Sequence, residues 1–156
     1  MLKNIDPLLN PDLLRTLRAM GHGDEIAIVD ANFPSESAGP KLIRIDGQSA
    51  SRVLDAVLSV MPLDEFVPEP AMRMEVVGSP RQIEPVMAEF QSIIARHEPQ
   101  VKLAGLERFA FYARVRGAFA VVATGDTRLY ANVLLKKGII RPKSTAENRT
   151  AKQESS

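Results

Sequence analysis

Apolar residues along the chain recur with two spacings, one typical of amphipathic helices and the other typical of buried strands. Leu13, Leu17 and Met20 fall on one face of a helix, which Asn10-Pro11-Asp12 starts with an N-cap residue, a proline and an acidic first turn. Gly21 is placed to end this helix. The continuous apolar run from Ile26 to Val29 then predicts a strand that is covered on both faces.

The remaining apolar patterns predict three more helices and five more strands. The helices cover 49–61, a segment that starts near Pro85, and 108–114, where the spacing of Phe109, Tyr112 and Arg116 favours a short helix over a strand. The strands cover 42–45, 72–77, 101–106, 118–123 and 132–135. This alternation predicts an α/β fold, a single compact three-layer domain whose largely parallel or mixed sheet of about six strands has helices on both faces.

Length and composition indicate one globular domain. The chain has 156 residues, of which 45% are apolar and 25% charged, which is ordinary for a domain with a sizeable core. The absence of cysteine excludes disulfides, thiolate metal sites and cysteine nucleophiles. No apolar run reaches the roughly 18–20 residues that span a bilayer, and the first residues lack the apolar region of a signal peptide. We therefore expect a cytoplasmic protein with no membrane partner.

The net charge of +1 is unevenly distributed. Residues 1–135 carry 14 Lys and Arg against 17 Asp and Glu, a net charge of −3, whereas residues 136–156 carry 6 against 2, a net charge of +4. Residues 1–135 lack the excess of Lys and Arg that binds phosphates, so no nucleic-acid partner is expected. Residues 142–156 are polar and basic with almost no apolar side chain, and we expect a disordered tail behind a folded domain over 1–141.

His22 is the first candidate for acid–base chemistry, because histidine titrates near neutral pH and the chain has only one other histidine. Gly21 and Gly23 flank it and let a ligand approach closely. The alternative is a structural role, capping the carbonyls at the end of the preceding helix. His97, near the end of another helix, is most simply a surface residue that complements the helix dipole. The two histidines lie on different elements without metal-ligand spacing, so no metal site is expected.

Polar residues with binding chemistry follow two of the predicted strands. Asp30 comes directly after the strand 26–29, where it is expected to be half-buried; its alternative role is to start an Asx turn. The Tyr130-Ala131-Asn132 segment offers a phenol and an amide, which can recognise sugar hydroxyls or stabilise a turn. Arg108 either lies over the neighbouring aromatic rings or is an ordinary surface arginine. His22 precedes the strand that Asp30 follows, so one chain does not bring the two together.

Common nucleotide and serine-hydrolase motifs are absent, since Gly21-His22-Gly23 lacks the third glycine of a dinucleotide fingerprint and precedes its strand. Four other motifs occur together in a characteristic order. They are Gly21-His22-Gly23-Asp24-Glu25, Asp30-Ala31-Asn32-Phe33-Pro34, Arg108-Phe109-Ala110-Phe111-Tyr112 and Tyr130-Ala131-Asn132-Val133-Leu134-Leu135-Lys136-Lys137-Gly138. On these motifs the chain closely resembles the L-fucose mutarotase branch of the ribose pyranase/fucose mutarotase (RbsD/FucU) family over about residues 1–140. The Arg-Phe-Ala-Phe-Tyr block favours the fucose branch over the ribose branch.

The resemblance implies an isomerase without cofactor or metal that interconverts the α and β anomers of a free monosaccharide such as L-fucose. It implies His22 as the catalytic proton donor and a set of substrate-binding residues, namely Asp30, Arg108, Tyr130, Ala131 and Asn132. Ala131 departs from the glycine expected in the fucose branch. The resemblance also implies a homodecamer of two stacked pentameric rings, with sugar sites at subunit contacts where His22 and Tyr130 come from neighbouring chains. A ribose-type pyranase and a non-catalytic sugar-binding protein are the alternatives.

Overall fold

Helices begin where the sequence places their capping residues. The computed structural model describes residues 1–143, and in this part of the chain there are four helices: α1 (Pro11–Ala19), α2 (Ala50–Leu58), α3 (Pro85–His97) and α4 (Arg108–Arg116). The Asn10 side chain accepts a hydrogen bond from a backbone N–H of the first turn of α1, and Ser49 does the same for α2. The Glu107 carboxylate accepts from two backbone N–H groups at the start of α4, so the ambiguous segment after residue 107 is a helix, as predicted.

Six strands of the described residues form one sheet. They are β1 (Glu25–Val29), β2 (Lys41–Ile45), β3 (Ala71–Met74), β4 (Ala104–Leu106), β5 (Ala120–Thr124) and β6 (Val133–Lys136). Their order across the sheet is β2-β5-β1-β6-β3-β4, with β6 antiparallel to both of its neighbours and all other pairs parallel. The strand predicted over 72–77 ends at Met74, since the chain turns back at Gly78, which has a φ of +75°.

Helices cover both faces of the sheet, which confirms the predicted α/β architecture. The central strands β1 and β5 alternate their side chains between the two sides and are buried on both. On one face α1, α2 and α3 form the larger core, which includes Leu13, Leu17, Val53, Phe90 and Ile94. On the other face α4 packs with Phe111 and Val115 against a smaller core that includes Phe33.

The direction of β6 decides which residues meet at each end of the sheet. Because β6 runs against β1, Ile28 pairs with Val133 and Glu25 pairs with Lys136. The loop that leads into β6 therefore lies at the carboxyl end of β1, next to Asp30, whereas the His22 turn lies at the opposite end. No helix in residues 1–143 is both long enough and apolar enough to cross a membrane. Most of the tail predicted over 142–156 lies outside the described residues.

Candidate active site

Asp30 and Asn132 form a buried pair at the carboxyl end of β1. The Asp30 N–H donates to Asn132 Oδ1 at 2.9 Å, and Asn132 Nδ2 donates to Asp30 Oδ2 at 2.9 Å. The other carboxylate oxygen, Oδ1, accepts from the Asn32 N–H at 2.9 Å, so the Asx turn considered as an alternative is also formed. Asp30 is only 5% exposed, so the expectation of a half-buried side chain is wrong. The backbone and Asn132 enclose the carboxylate from both sides.

Burial changes the acidity of this carboxyl group. Desolvation raises the pKa of Asp30 above its ordinary value, although the hydrogen bonds from Asn32 and Asn132 partly offset it. The nearby Asp126 carboxylate acts in the same direction as burial. An ionised Asp30 therefore gains from any further hydrogen-bond donor that reaches it, such as a substrate hydroxyl.

A cavity of about 190 Å³ opens beside the pair on the α4 face of the sheet. It brings together side chains from four parts of the chain, namely Asp30, Asn32, Phe33, Met74, Val77, Arg108, Tyr112, Leu129, Tyr130 and Asn132. This volume is below the roughly 300–1,000 Å³ of pockets for drug-sized ligands, so it suits a small molecule. Asp30, Arg108, Tyr130 and Asn132 are thus together. The places of Asp30 and of the Tyr130–Asn132 segment after predicted strands anticipate their proximity, whereas only the family resemblance grouped Arg108 with them.

Arg108 and Tyr130 add a cation and a phenol to this cavity. The Arg108 guanidinium lies 4.5 Å above the Phe109 ring, so of the two alternatives for Arg108 the contact with an aromatic ring is the one that is formed. Its Nε is buried, yet it has no hydrogen-bond partner within residues 1–143. Tyr130 has a φ of +63°, a conformation rare for a bulky residue, and its hydroxyl accepts from the Val77 N–H at 3.2 Å. The Tyr130 side chain lines the cavity and also packs against both cores.

Ala131, the remaining predicted binding residue, is fully buried and packs in the larger core. It does not line the cavity, so its side chain is not brought to the other binding residues. Its position between Tyr130 and Asn132 nevertheless fixes the short segment that carries both of them.

His22 lies at the other end of β1, as predicted from its place in the chain. Its Nε2 is 3.0 Å from Asp64 Oδ1, and its ring centroid is 5.4 Å from that of Phe66. The proposed capping role for His22 is wrong, because Lys137 Nζ donates to the carbonyls of Leu17 and Met20 at the end of α1. Within one chain His22 and the Asp30 cavity stay on opposite ends of the sheet.

Asp64 is a partner of His22 that the sequence did not single out. It is 42 residues from His22, in a loop notable only for its acidic residues and prolines, so no spacing pattern connects the two. Burial acts to raise the pKa of Asp64, but the hydrogen bonds from His22 and the Phe66 N–H outweigh it and leave this pKa below its ordinary value. Asp64 is therefore ionised at neutral pH.

His97 has the surface role predicted for it. As the last residue of α3 it bonds through Nε2 to Asp55 Oδ1 of α2 at 2.7 Å, away from the Asp30 cavity. Within residues 1–143 no group of three or more His, Cys, Asp or Glu side chains is arranged to hold a metal ion.

The comparisons with known proteins agree on one family. The family described as the RbsD / FucU transport protein family matches residues 3–140. A fucose mutarotase of Bos taurus is 50% identical over 149 residues, which cover 92% of this chain and 97% of the relative. The crystal structure of the fucose mutarotase from Streptococcus pneumoniae in complex with L-fucose has a TM-score of 0.83 at 44% identity, covering 90% of this chain and all of that one.

A more distant structure shares the fold alone. Bacillus subtilis RbsD, solved in complex with D-ribose, has a TM-score of 0.69 at 23% identity, with 90% of this chain and 100% of that chain covered. The matched region contains the Asp30 cavity, the His22–Asp64 pair and every helix and strand of the sheet. The chain belongs to the RbsD/FucU family.

Proposed function

We propose that this chain is a mutarotase that interconverts the α and β anomers of L-fucose or a closely related monosaccharide. The observation that carries the proposal is the buried Asp30–Asn132 pair with Arg108 and Tyr130 around a small cavity. It occurs in a chain half identical to a fucose mutarotase and similar in structure to one solved with L-fucose. Carboxylate, guanidinium, phenol and amide groups match the alternating donors and acceptors of a sugar.

The reaction needs only proton transfer. When the sugar ring opens, the bond between the anomeric carbon and the ring oxygen breaks, the ring oxygen gains a proton, and the anomeric hydroxyl loses one. We assign the first proton to His22, while water, Tyr112 or Tyr130 receives the second; ring closure on the other face of the aldehyde reverses both transfers. A positioned acid or base contributes roughly 10²–10⁴-fold to such a step. Asp30 and Arg108 would hold the hydroxyls that do not react.

The proposal includes an assembly in which a neighbouring chain supplies His22. Each end of the sheet carries exposed apolar side chains: Phe66, Ile139 and Ile140 at the His22 end, and Val77, Phe109 and Leu129 at the cavity end. Two different patches that bind each other head to tail generate a closed ring when the rotation between neighbouring chains closes. The family resemblance favours two stacked pentamers, so light scattering should give a mass close to ten subunits. The expected cytoplasmic location is part of the same proposal, and cell fractionation would test it.

Saturation-transfer NMR between the two anomers of L-fucose tests the activity directly. We expect exchange to accelerate with added protein, and His22→Ala to abolish the acceleration with an unchanged circular dichroism spectrum. The matched control is His97→Ala, which removes the other histidine far from the cavity and should leave exchange intact. Full activity in His22→Ala would refute the assigned proton donor.

A panel of sugars in the same assay identifies the substrate. Faster pyranose–furanose exchange of D-ribose than anomer exchange of L-fucose would favour the ribose-type pyranase. Saturable binding of L-fucose without any acceleration would instead indicate a non-catalytic sugar-binding protein.

A further inference from the structure

The His22 imidazole is held on two sides by residues of the loop before β3. Asp64 lies 3.0 Å from Nε2, and the Phe66 ring packs against the imidazole at an interplanar angle of 56°. The His22 side chain is 46% exposed, whereas the Asp64 side chain is only 4% exposed. Within residues 1–143 the other ring nitrogen, Nδ1, has no hydrogen-bond partner. One edge of the imidazole is therefore anchored and the other is accessible.

Asp64 is held in place by contacts that do not involve His22. Its N–H donates to the Lys136 carbonyl at 3.0 Å, and its Oδ1 accepts from the Phe66 N–H at 3.0 Å. The preceding Leu63 N–H donates to Glu98 Oε1 at 3.1 Å. At Gly138 a Cβ would collide with the Leu63 carbonyl, so glycine is required for this close approach. The carboxylate thus determines the orientation of the imidazole, and not the reverse.

The charges around this pair favour an ionised carboxylate. Lys136, on β6, acts on Asp64 in the same direction as the His22 hydrogen bond. Beside Phe66, Arg141 and Glu65 form their own ion pair and Arg141 lies over the ring. In the His22 turn itself, the Asp24 carboxylate is engaged by the Gly21 N–H at 2.7 Å.

Lys137 is a further cation near the His22 turn. Its ammonium is bound to the carbonyls at the end of α1, and burial lowers its pKa. Asp64 is therefore the carboxylate that contacts the imidazole.

We infer that Asp64 is a positioning residue for His22: it fixes a proton on Nε2 and leaves Nδ1 as the nitrogen that exchanges a proton with the sugar. This inference rests on the proposed mutarotase function. In ring opening the Nδ1 proton of the doubly protonated imidazole passes to the ring oxygen while the bond from this oxygen to the anomeric carbon breaks. The anomeric hydroxyl gives its proton to water, Tyr112 or Tyr130, and the imidazole keeps its Nε2 proton, bonded to Asp64.

The chain contains a natural control for this pair. His97 also bonds through Nε2 to an aspartate oxygen, Asp55 Oδ1, at 2.7 Å. Asp55 is more exposed than Asp64 and is shared with Arg96, and the pair lies between α2 and α3 away from any proposed substrate. Asp55→Asn therefore removes a carboxylate from a histidine in the same way, but at a pair that has no role in the reaction.

The test combines imidazole ¹⁵N NMR with kinetics on the full chain. In the wild type, at a pH where His22 is singly protonated, we expect the proton on Nε2. Asp64→Asn should lower kcat about tenfold or more with little change in KM, because proton transfer by the imidazole contributes roughly 10²–10⁴-fold in total. Asp55→Asn should alter only the His97 resonances.

Two results overturn the inference, and neither depends on the other. The first is a wild-type His22 with its proton on Nδ1, which needs no variant and decides the matter even if Asp64→Asn fails to fold. The second is a folded Asp64→Asn variant whose kcat and KM are both unchanged. Failure of the proposed function looks different: the wild type would then not accelerate anomer exchange at all, while the NMR experiment would still report the Nε2 proton and its dependence on Asp64.

Discussion

Asp30 and Asn132 are 102 residues apart in the chain and exchange two hydrogen bonds, each 2.9 Å long. The side-chain oxygen of Asn132 accepts from the Asp30 backbone N–H, and the side-chain nitrogen of Asn132 donates to the Asp30 carboxylate. The pair joins the end of β1 to the start of β6 and fixes the orientation of the carboxylate in the cavity. Both ends of the amide are used, so only a side chain with a donor and an acceptor at these positions can replace it.

Asn132→Asp keeps the shape of this side chain but replaces its donor with a second acidic oxygen. Two carboxylates then face each other in a buried site, which raises their pKa values and destabilises the fold wherever both would be ionised. We expect the free energy of unfolding to fall by about 1–3 kcal/mol at pH 7 and to recover as the pH falls towards 5. Urea denaturation at the two pH values measures this.

The matched control is Asn32→Asp, which adds the same charge at an exposed side chain whose backbone alone bonds to Asp30. Asn32→Asp should lower the free energy of unfolding by less than about 0.5 kcal/mol. Equal losses of unfolding free energy in the two variants would mean that the Asp30–Asn132 hydrogen bonds make no specific contribution to stability.

The raised pKa of Asp30 predicts that sugar binding weakens in mild acid. The ionised carboxylate accepts hydrogen bonds from sugar hydroxyls, and protonation removes this capacity. The affinity for L-fucose should be constant near neutral pH. As Asp30 becomes protonated at lower pH, the affinity should decline by up to about tenfold per pH unit. Because burial raises the pKa, the decline should begin at a higher pH than for an ordinary aspartate. Isothermal titration calorimetry between pH 7 and pH 4 measures it.

Asp30→Asn is the control for this pH dependence, since its side chain does not titrate. It should bind the sugar more weakly and with the same affinity across the range. A wild-type affinity that stays flat down to the pH of unfolding would contradict a titrating Asp30 in the site.

Much of the fold follows from local signals in the sequence. Asn10 and Ser49 each begin a helix because they satisfy backbone N–H groups within the same turn, which is a short-range effect. The apolar run at 26–29 becomes the buried central strand, and this run is likewise a local property of the sequence. The antiparallel direction of β6 did not follow from the sequence, because it depends on which neighbour β6 pairs with across the sheet.

The site was predictable where residues follow strands and unpredictable where it depends on distant contacts. Asp30 follows β1 and the segment that holds Asn132 follows the parallel strand β5, and the carboxyl ends of parallel neighbours lie at the same edge of the sheet. The role of Asp64 depends on a contact 42 residues away, and the capping of α1 depends on Lys137, 117 residues from Met20. Neither contact leaves a periodic pattern, so the sequence left the capping of α1 by His22 open as an alternative that Lys137 in fact fills.

Asp126 should stabilise the loop that carries Tyr130. It is buried and accepts hydrogen bonds from the Ala50 N–H at the start of α2 and from Arg128. Burial opposes the ionised form, but these hydrogen bonds outweigh it and lower the pKa of Asp126. Asp126→Ala leaves the Ala50 N–H unpaired, so we expect a loss of about 1–3 kcal/mol at neutral pH and a higher KM for the sugar.

The pH dependence of this loss has a definite sign. A lowered pKa stabilises the fold above the ordinary carboxyl value, so the difference between wild type and Asp126→Ala should shrink as the pH falls below about 4. Thermal unfolding across this range measures it. Asp46→Ala is the matched control, because Asp46 is 66% exposed in the neighbouring turn and its removal should cost under about 0.5 kcal/mol. A constant difference at all pH values would exclude the ionised Asp126 as the cause.

Two inactive variants should restore activity together if His22 completes the cavity of a neighbouring chain. We expect His22→Ala and Asp30→Asn each to be inactive. When refolded together in equal amounts they should give about a quarter of wild-type activity, because a site is intact only where an Asp30→Asn chain supplies His22 to a His22→Ala chain. The same variants refolded separately and measured in parallel are the control. No recovery, in mixed assemblies verified by native mass spectrometry, would mean that both residues serve a site within one chain.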